Sequence, residues 1–244
     1  MKRMLLTLRF DGTAYHGWQV QPNGITVQQV LQDALTKMLG GRPAVTGCSR
    51  TDAGVHANEF CCHLDCEDKI PTVAFLKGLN SILPDDIAIK DCREVESRFH
   101  ARYDATGKEY VYHIFNSSEK NPFKLRYAWQ VERSINLAAV NEFCSLMIGR
   151  HDFAAFSSSG RTVSDTVRTV ERCFAVRDGD MIKLHIAADG FLYNMVRIFT
   201  GTAVEVSDKK ITPADITRAF ETGARQLTGI TAPPQGLFLE KVFY

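Results

Sequence analysis

The chain has 244 residues, 45% of them hydrophobic and 23% charged, so it can bury a sizeable core and is not expected to be disordered. Its 29 Lys and Arg residues against 28 Asp and Glu residues give a formal net charge of +1, which does not indicate a strongly basic nucleic-acid-binding protein. If the chain binds RNA, the positive charge must be local, and the stretches Arg98–Arg126 and Arg150–Arg177 fit that requirement.

The N-terminal apolar run Met4–Leu8 is too short for the core of a signal peptide, and charged Arg9 follows it directly. No segment approaches the roughly 20 consecutive apolar residues that span a bilayer. We therefore expect a cytoplasmic protein that does not associate with membranes.

The first half of the chain alternates strand-like and helix-like segments. The clearest is a helix that Thr26 can cap: its apolar residues follow a 3.6-residue period to Leu39, and Gly40 ends it. The predicted elements are a strand at 4–10, that helix, short strands near 44–48 and 57–64, a helix between Pro71 and Pro84, and a strand at 86–95.

The second half begins this alternation again. Lys108–Asn116 alternates aromatic and polar residues as a strand does, and Asn136 can open a helix that ends at Gly149. The further predicted elements are strands at about 166–176 and 181–187, a helix from Phe191 to about Val204, a short helix from Pro213 to Phe220, and a strand from Gly236 to Tyr244.

Both halves read as strand, helix, a Gly-Arg turn and then further strands and helices, which indicates an internal duplication. The predicted fold class is α+β, with two similar halves, each a mainly antiparallel sheet with helices on one face, and an active-site cleft between them. The predicted domains are residues 1–104 and 105–244.

Seven cysteines, an odd number, are expected to be reduced in a chain without an export signal; they lie at positions 48, 61, 62, 66, 92, 144 and 173. The segment Cys61–Cys66, with His56 nearby, could suggest a metal site. However, it reads as a strand whose neighbouring side chains point to opposite faces, and no second Cys/His pair at zinc-knuckle spacing completes four ligands. We therefore expect no metal and ordinary buried or half-buried thiols.

Ser49–His56 (SRTDAGVH) is the most unusual stretch of the sequence and crowds functional side chains around Gly54. Its ordinary interpretation is a polar turn in which Asp52 is a local cap. However, the turn follows directly from an apparent buried strand and leads into another, and loops of this kind often present catalytic groups. Asp52 is therefore the candidate catalytic carboxylate.

Two later segments also carry candidate functional side chains. Phe99–Tyr112 interleaves Arg, Lys, His and Tyr, which suits a surface that contacts phosphates and stacks on bases; alternatively, its tyrosines simply pack one face of a strand. Gly190–Gly201 reads as a helix with an apolar face and a single arginine, Arg197. That arginine is either a surface residue or a buried guanidinium held for a carboxylate such as Asp52.

Four motifs, in this order, resemble those of the tRNA pseudouridine synthase A family, and the similarity runs nearly from end to end. They are the N-terminal signature Phe10–Gln19 (FDGTAYHGWQ), the catalytic motif Ser49–His56, Gly107–Tyr112 (GKEYVY) and Gly190–Arg197 (GFLYNMVR). His151–Phe153 and Ala232–Leu239 also fit the family.

The resemblance implies that Asp52 is the essential carboxylate and nucleophile, that Arg197 forms an ion pair with it, and that Tyr110 contacts the substrate. The target base must leave its stack, and an inserted side chain such as that of Arg50 could support this movement. The resemblance further implies a homodimer that modifies uridines 38, 39 and 40 in the anticodon stem-loop of tRNA. The product is an isomer of the substrate, so no cofactor is expected.

The sequence departs from the family pattern in three places. Asn194 stands where the family more often has His, Cys48 and Ser49 precede Arg50 where Gly is common, and Glu109 replaces a frequent basic residue. The departures leave the expected catalytic residues in place and concern the detail of phosphate contacts.

Two other classes of protein remain possible interpretations of the residues alone. A non-catalytic RNA-binding module would keep the aromatic and basic strand around Tyr110 but would not need Asp52 opposite a helical arginine. An aspartic hydrolase would need a second aspartate in a similar context. Asp11-Gly-Thr and Asp189-Gly both lack the hydrophobic-Asp-Thr/Ser-Gly form.

Overall fold

The structure is a computed structural model that describes residues 1–67, 70–160 and 163–244. They form two compact units, of which the first comprises Met1–Thr106 and Phe238–Tyr244 and the second Gly107–Leu237. The predicted boundary lies after residue 104, whereas in the structure the first unit extends to Thr106 and also includes the C-terminal strand.

The described residues form ten strands and five α-helices. In chain order these are β1 (Lys2–Phe10), α1 (Val27–Leu39), β2 (Thr46–Gly47), β3 (His56–Cys66), α2 (Thr72–Ile82), β4 (Ile87–Val95), β5 (Gly107–Phe115), β6 (Trp129–Gln130), α3 (Leu137–Met147), β7 (Gly149–Asp152), β8 (Val167–Asp178), β9 (Met181–Ala188), α4 (Met195–Ser207), α5 (Pro213–Thr222) and β10 (Leu237–Phe243).

The first unit is built on a sheet in which β1 lies between β4 and β3 and is antiparallel to both. β10 runs parallel to β3 beside His56 and Ala57, whereas β2 pairs with the other end of the same strand. Helix α1 begins as predicted, because the Thr26 hydroxyl accepts a hydrogen bond from the amide of Gln29. Helices α1 and α2 pack together, and α2 also packs against β4.

The second unit contains the antiparallel strand order β5-β9-β8-β7, and the short strand β6 runs parallel to β5. Helix α3 packs against β8 and α4. The Asn136 side chain accepts hydrogen bonds from the amides of Ala138 and Ala139, which confirms the predicted start of α3. Thr212 and Asp215 form a reciprocal capping box at the start of α5.

Helix α4 differs from its prediction in two ways. It begins at Met195 and not at Phe191, because Asn194 has a left-handed backbone with φ 62°. Its buried surface also extends beyond one apolar face, since Thr200 and Gly201 are buried. A Cβ atom on Gly201 would lie only 1.8 Å from the carbonyl oxygen of Ile230. The helix is therefore enclosed on most sides, and half-buried Arg197 is a charged exception near its start.

The α+β class and the mainly antiparallel sheet are confirmed. Each of the two units contains both sheet and helix. Among the residues that the structure describes, no helix combines the length and apolar character needed to cross a bilayer.

Candidate active site

The Asp52 loop, residues 49–55, connects β2 to β3 in the first unit. It leaves the sheet after Cys48, whose amide donates to the carbonyl of Cys61 at 2.8 Å. It returns through a turn in which the Val55 amide donates to the Asp52 carbonyl at 3.2 Å. Asp52 is half-buried on this loop, while Arg50 is exposed. The loop therefore combines a carboxylate removed in part from water with a cation that can reach a large substrate.

The N-terminal segment 12–18 holds the Asp52 loop from one side. The amide of Gly54 donates to the Tyr15 carbonyl at 3.2 Å, and the amide of Trp18 donates to the Thr51 carbonyl at 3.3 Å. Gly17 has a φ of +77°, and a Cβ atom there would lie 2.2 Å from the Thr51 carbonyl oxygen. Only glycine allows the two segments to approach so closely. This packing gives the N-terminal signature a structural role beside the candidate carboxylate.

We expect Gly17→Ala to destabilise the protein more than Gly40→Ala does. Both glycines have nearly the same left-handed backbone, with φ +77° and +76°, but no described atom lies within 4 Å of a Cβ on Gly40. The backbone strain, on the order of 1–2 kcal/mol, is common to both substitutions, and the clash with Thr51 adds about 1–3 kcal/mol to the first alone. Urea unfolding measures the difference, and equal losses would contradict the contact.

Two further polar side chains lie in or next to the loop. His56 is buried, stacks on Phe238 with ring centroids 4.6 Å apart, and accepts a hydrogen bond from the Gly12 amide through Nδ1 at 3.0 Å. The histidine of the motif is therefore a packing residue in the first unit. Within the described chain, the buried Oγ1 of Thr51, next to Asp52, has no hydrogen-bond partner.

In the second unit, β5 carries two buried tyrosines on one face, since side chains two apart on a strand point the same way. Tyr110 makes an edge-on contact with Phe191, with ring centroids 4.9 Å apart. The Tyr112 hydroxyl donates to the Pro233 carbonyl at 2.6 Å. Burial raises the pKa of Tyr112, while the positive charge of Arg197 opposes that rise. Arg197 thus lies close to the face of β5 that bears both tyrosines.

The guanidinium of Arg197 is held in a fixed orientation. Its Nε donates to the Ala232 carbonyl at 2.7 Å, and one terminal nitrogen donates to Oδ1 of Asn194 at 2.8 Å. Asn194 in turn donates through Nδ2 to the Ser158 hydroxyl at 2.9 Å. The left-handed backbone of Asn194, which makes the helix begin later than predicted, thus places an amide oxygen beside the arginine. An arginine held through two of its nitrogens is suited to orient a carboxylate.

Glu109, another of the three departures from the family pattern, also has charged partners. Its carboxylate lies 3.2 Å from Arg172 and 3.2 Å from Nδ1 of His185. Of the basic stretch 150–177, Arg168 and Arg177 likewise bind backbone carbonyls. Arg161 lies outside the described residues.

The cysteines show no arrangement suited to metal binding. All seven are free and buried, and the described residues contain no group of three or more His, Cys, Asp or Glu side chains that could hold a metal ion. Burial raises the pKa of Cys61 and of Cys62, so both thiols stay protonated at neutral pH. His63 accepts a hydrogen bond from the amide of Ala101 and is part of the packing.

The structure places the four sequence-predicted site residues in two groups. Asp52 and Arg50 lie on one loop of the first unit, whereas Tyr110 and Arg197 belong to the second. Sequence reasoning missed the carbonyl of Ala232 and the close approach of Gly17 to the Asp52 loop. Both residues lie in motifs that resemble the family, and this was the only indication of their importance. A contact made by backbone atoms does not produce a recognisable pattern of side chains in the sequence.

Comparisons with known proteins agree with these motifs. A family model described as tRNA pseudouridine synthase matches residues 7–104 and 143–244. The chain is 42% identical over 244 residues to tRNA pseudouridine synthase A 2 of Clostridium perfringens, and the alignment covers all of both chains. It is also 42% identical to tRNA pseudouridine synthase A of Geobacter sp. strain M21, over all of this chain and 99% of the other, and to that of Thermoanaerobacter sp. strain X514, over all of both chains.

Proposed function

The chain belongs to the tRNA pseudouridine synthase family, and from this premise we propose that it isomerises uridines 38, 39 and 40 in the anticodon stem-loop of tRNA, with Asp52 as the catalytic carboxylate. The observation that carries the proposal is Asp52 itself: a half-buried carboxylate on a loop fixed from both ends, inside the family's catalytic motif. The relatives' names, over alignments of full length, support tRNA as the substrate.

The reaction breaks the N1–C1′ bond of uridine, turns the base and joins C5 to C1′. All atoms of the substrate remain in the product, so the balance needs no redox carrier and no energy source. A carboxylate is required because C1′ becomes electron-poor when the glycosidic bond breaks, and an acidic side chain can attack or stabilise such a centre. Asp52 takes this role in our proposal.

Arg197 and Tyr110 assist the carboxylate in this proposal. Partial burial favours the neutral form of an aspartate, and a guanidinium paired with Asp52 would keep it charged. The fixed orientation of Arg197 between Ala232 and Asn194 supports such a pairing. The proton on C5 must leave after the base is rejoined, and Tyr110 beneath the base would help to remove it.

Arg50 is proposed to stabilise the extruded nucleotide. Enzymes that act on a base inside a helical stem must first take it out of the stack, and an inserted side chain can occupy the space that it leaves. Arg50 is exposed and lies two residues from Asp52, so it can enter an RNA stem while the carboxylate meets the sugar.

Purified protein incubated with unmodified tRNA, without cofactors and in the presence of EDTA, should form pseudouridine. We expect modification at positions 38, 39 and 40, which the family resemblance implies. We expect EDTA to leave the activity unchanged, because the proposed chemistry does not call for a metal. Mapping of pseudouridine in the product tRNA is the measurement. Activity that is lost in chelator and restored by one metal would contradict the metal-independent mechanism, and modification elsewhere would contradict the assigned positions.

We also propose that the enzyme is a cytoplasmic homodimer. The cytoplasm is where tRNA is processed and used, and the family resemblance implies a dimer with tRNA bridging its subunits. Sedimentation analysis of the purified chain tests the assembly directly.

Binding of tRNA should depend strongly on salt although the chain carries a formal charge of only +1. Each phosphate that a Lys or Arg neutralises contributes a slope of roughly −0.9 in log K against log salt concentration for a duplex, and about −0.7 for a single strand. We therefore expect several neutralised phosphates to give a steep decrease in affinity. Filter binding at several salt concentrations measures this slope, and a flat response would mean that the basic stretches do not face the RNA.

A further inference from the structure

The loop between β5 and β6 presents an aromatic ring to solvent among basic side chains. Phe123 is 90% exposed, the most exposed phenylalanine among the described residues. Residues 119–127 (EKNPFKLRY), here the Phe123 loop, contain three basic residues and one acidic residue. The loop lies outside residues 7–104 and 143–244, which the family model matches. Neither the proposed chemistry nor the core of the second unit uses this ring.

The Phe123 loop is held in shape by its own hydrogen bonds. The Asn121 side chain accepts from the Phe123 amide at 3.1 Å, and its carbonyl accepts from the amides of Lys124 and Leu125. At the base, Gln130 donates to the carbonyls of Ser117 and Glu119. The exposed ring therefore stands on an ordered turn, so that little conformational entropy is lost when a ligand stacks on it.

The basic residues of the loop differ in their surroundings. Lys124 lies over the ring of Phe115, with Nζ 4.8 Å from the ring centroid, and is half-buried. Lys120 and Arg126 are exposed on either side of Phe123. A flat apolar face flanked by exposed cations matches a nucleic-acid strand, in which a base offers a π-face and the backbone carries phosphates.

A protein partner fits this loop less well. Interfaces between proteins are depleted in lysine and are built around a contiguous apolar patch. Here Phe123 is far more exposed than the other aromatic residue of the loop, Tyr127 (90% against 37%), and the remaining residues are charged or polar apart from exposed Pro122 and half-buried Leu125.

We propose that the Phe123 loop is a second RNA contact of the enzyme, in which Phe123 stacks on an unpaired base of the tRNA while Lys120 and Arg126 bind the adjacent phosphates. This inference rests on the proposed function, since it takes tRNA as the ligand. The loop acts in substrate binding and does not take part in the chemistry at Asp52.

Three substitutions of Phe123 test the stacking contact by their effect on the Kd for unmodified tRNA. Phe123→Ala should raise the Kd by about 5- to 150-fold, the range expected for loss of one base–aromatic stack. Phe123→Leu keeps an apolar side chain without a π-face and should also weaken binding, whereas Phe123→Tyr should stay within about twofold of wild type. At saturating tRNA, kcat should change by less than about twofold in all three.

Exposed residues of the first unit provide matched controls for these substitutions. Val73 is 61% exposed on α2, so Val73→Ala removes a surface apolar group of the first unit and should leave the Kd unchanged. The double change Lys120→Gln with Arg126→Gln should reduce the salt slope by up to about 2, whereas Lys37→Gln on α1 should not alter it.

The outcomes separate this proposal from the proposed function. If the wild-type chain binds and modifies tRNA but Phe123→Ala binds equally well, the loop contact is wrong and the function stands. If Phe123→Ala changes the oligomeric state without RNA in sedimentation analysis, the loop is a protein interface and the proposal is overturned. A wild-type chain that does not bind tRNA overturns both, while binding without pseudouridine formation overturns the function alone, and the Phe123 series still decides the contact.

Discussion

Asp52→Asn should abolish pseudouridine formation while the protein still folds and binds tRNA. The amide has nearly the same size and can keep hydrogen bonds to the half-buried loop, but it has no negative charge with which to attack or stabilise C1′. We expect kcat to fall by at least about a thousandfold, as for other essential nucleophiles. The Kd for tRNA should stay within about threefold, because the carboxylate acts on the transition state and not on the bound substrate. Single-turnover assays at saturating tRNA and filter binding measure the two quantities.

The control for this variant is Asp85→Asn, the same change at an exposed aspartate of the first unit. It should leave kcat and Kd unchanged, so a loss at both positions would point to a general effect of charge. If purified Asp52→Asn has a kcat near that of wild type, Asp52 is not the catalytic group. Loss of tRNA binding together with turnover would mean that Asp52 positions the RNA.

The helices and long strands could be predicted from local patterns because their boundaries are set by local chemistry. Thr26, Asn136 and Thr212 each accept hydrogen bonds from amides of the first turn that they cap, and these residue types in these positions are visible in the sequence. Strand β2 lies within the short strand predicted near 44–48, whereas β6 and β7 have only two and four residues, too few for an alternating pattern to be recognised.

The start of α4 was mispredicted because a tertiary contact overrides the local pattern. Phe191 and Leu192 continue the apolar series of the helix toward the N-terminus, so periodicity alone extends it to residue 191. In the structure, Asn194 is left-handed and its side chain bridges Ser158 and Arg197. Ser158 lies 36 positions away in the chain, so no window of sequence around the helix could indicate this arrangement.

The residues of the candidate site could be proposed from the sequence, but the contacts that support them could not. Asp52 stands out because a polar turn between buried strands carries a carboxylate, and the family motif names the same residue. The Ala232 carbonyl that orients Arg197 and the glycine that admits the Thr51 carbonyl are backbone contacts between distant segments. Such contacts depend on the folded topology, which residue patterns do not encode locally.

Arg197→Ala should reduce both activity and stability, because we propose that this guanidinium pairs with Asp52. Loss of one partner from a fully buried ion pair costs about 3–5 kcal/mol. Arg197 is only half-buried, so we expect a smaller loss of about 1–3 kcal/mol in the free energy of unfolding. Arg197→Lys keeps the positive charge, but an ammonium group lacks the planar guanidinium geometry needed to bind Ala232, Asn194 and a carboxylate at once. We therefore expect kcat to fall by at least about tenfold. Urea unfolding and single-turnover rates measure these effects.

Arg177→Ala is the control that separates the structural role from the catalytic one. The guanidinium of Arg177 also bonds one backbone carbonyl and one asparagine side chain, those of Ile135 and Asn116, at 3.1 and 3.0 Å. Its removal should therefore lower stability through the same kinds of contact while the kcat of the folded enzyme stays close to wild type. An Arg197→Ala variant that loses no more kcat than Arg177→Ala, or an Arg197→Lys variant with wild-type kcat, would contradict the pairing. If kcat falls strongly for Arg197→Ala but not for Arg177→Ala, the charge of Arg197 must do more than hold the second unit together. In the proposed chemistry, its partner is the carboxylate of Asp52.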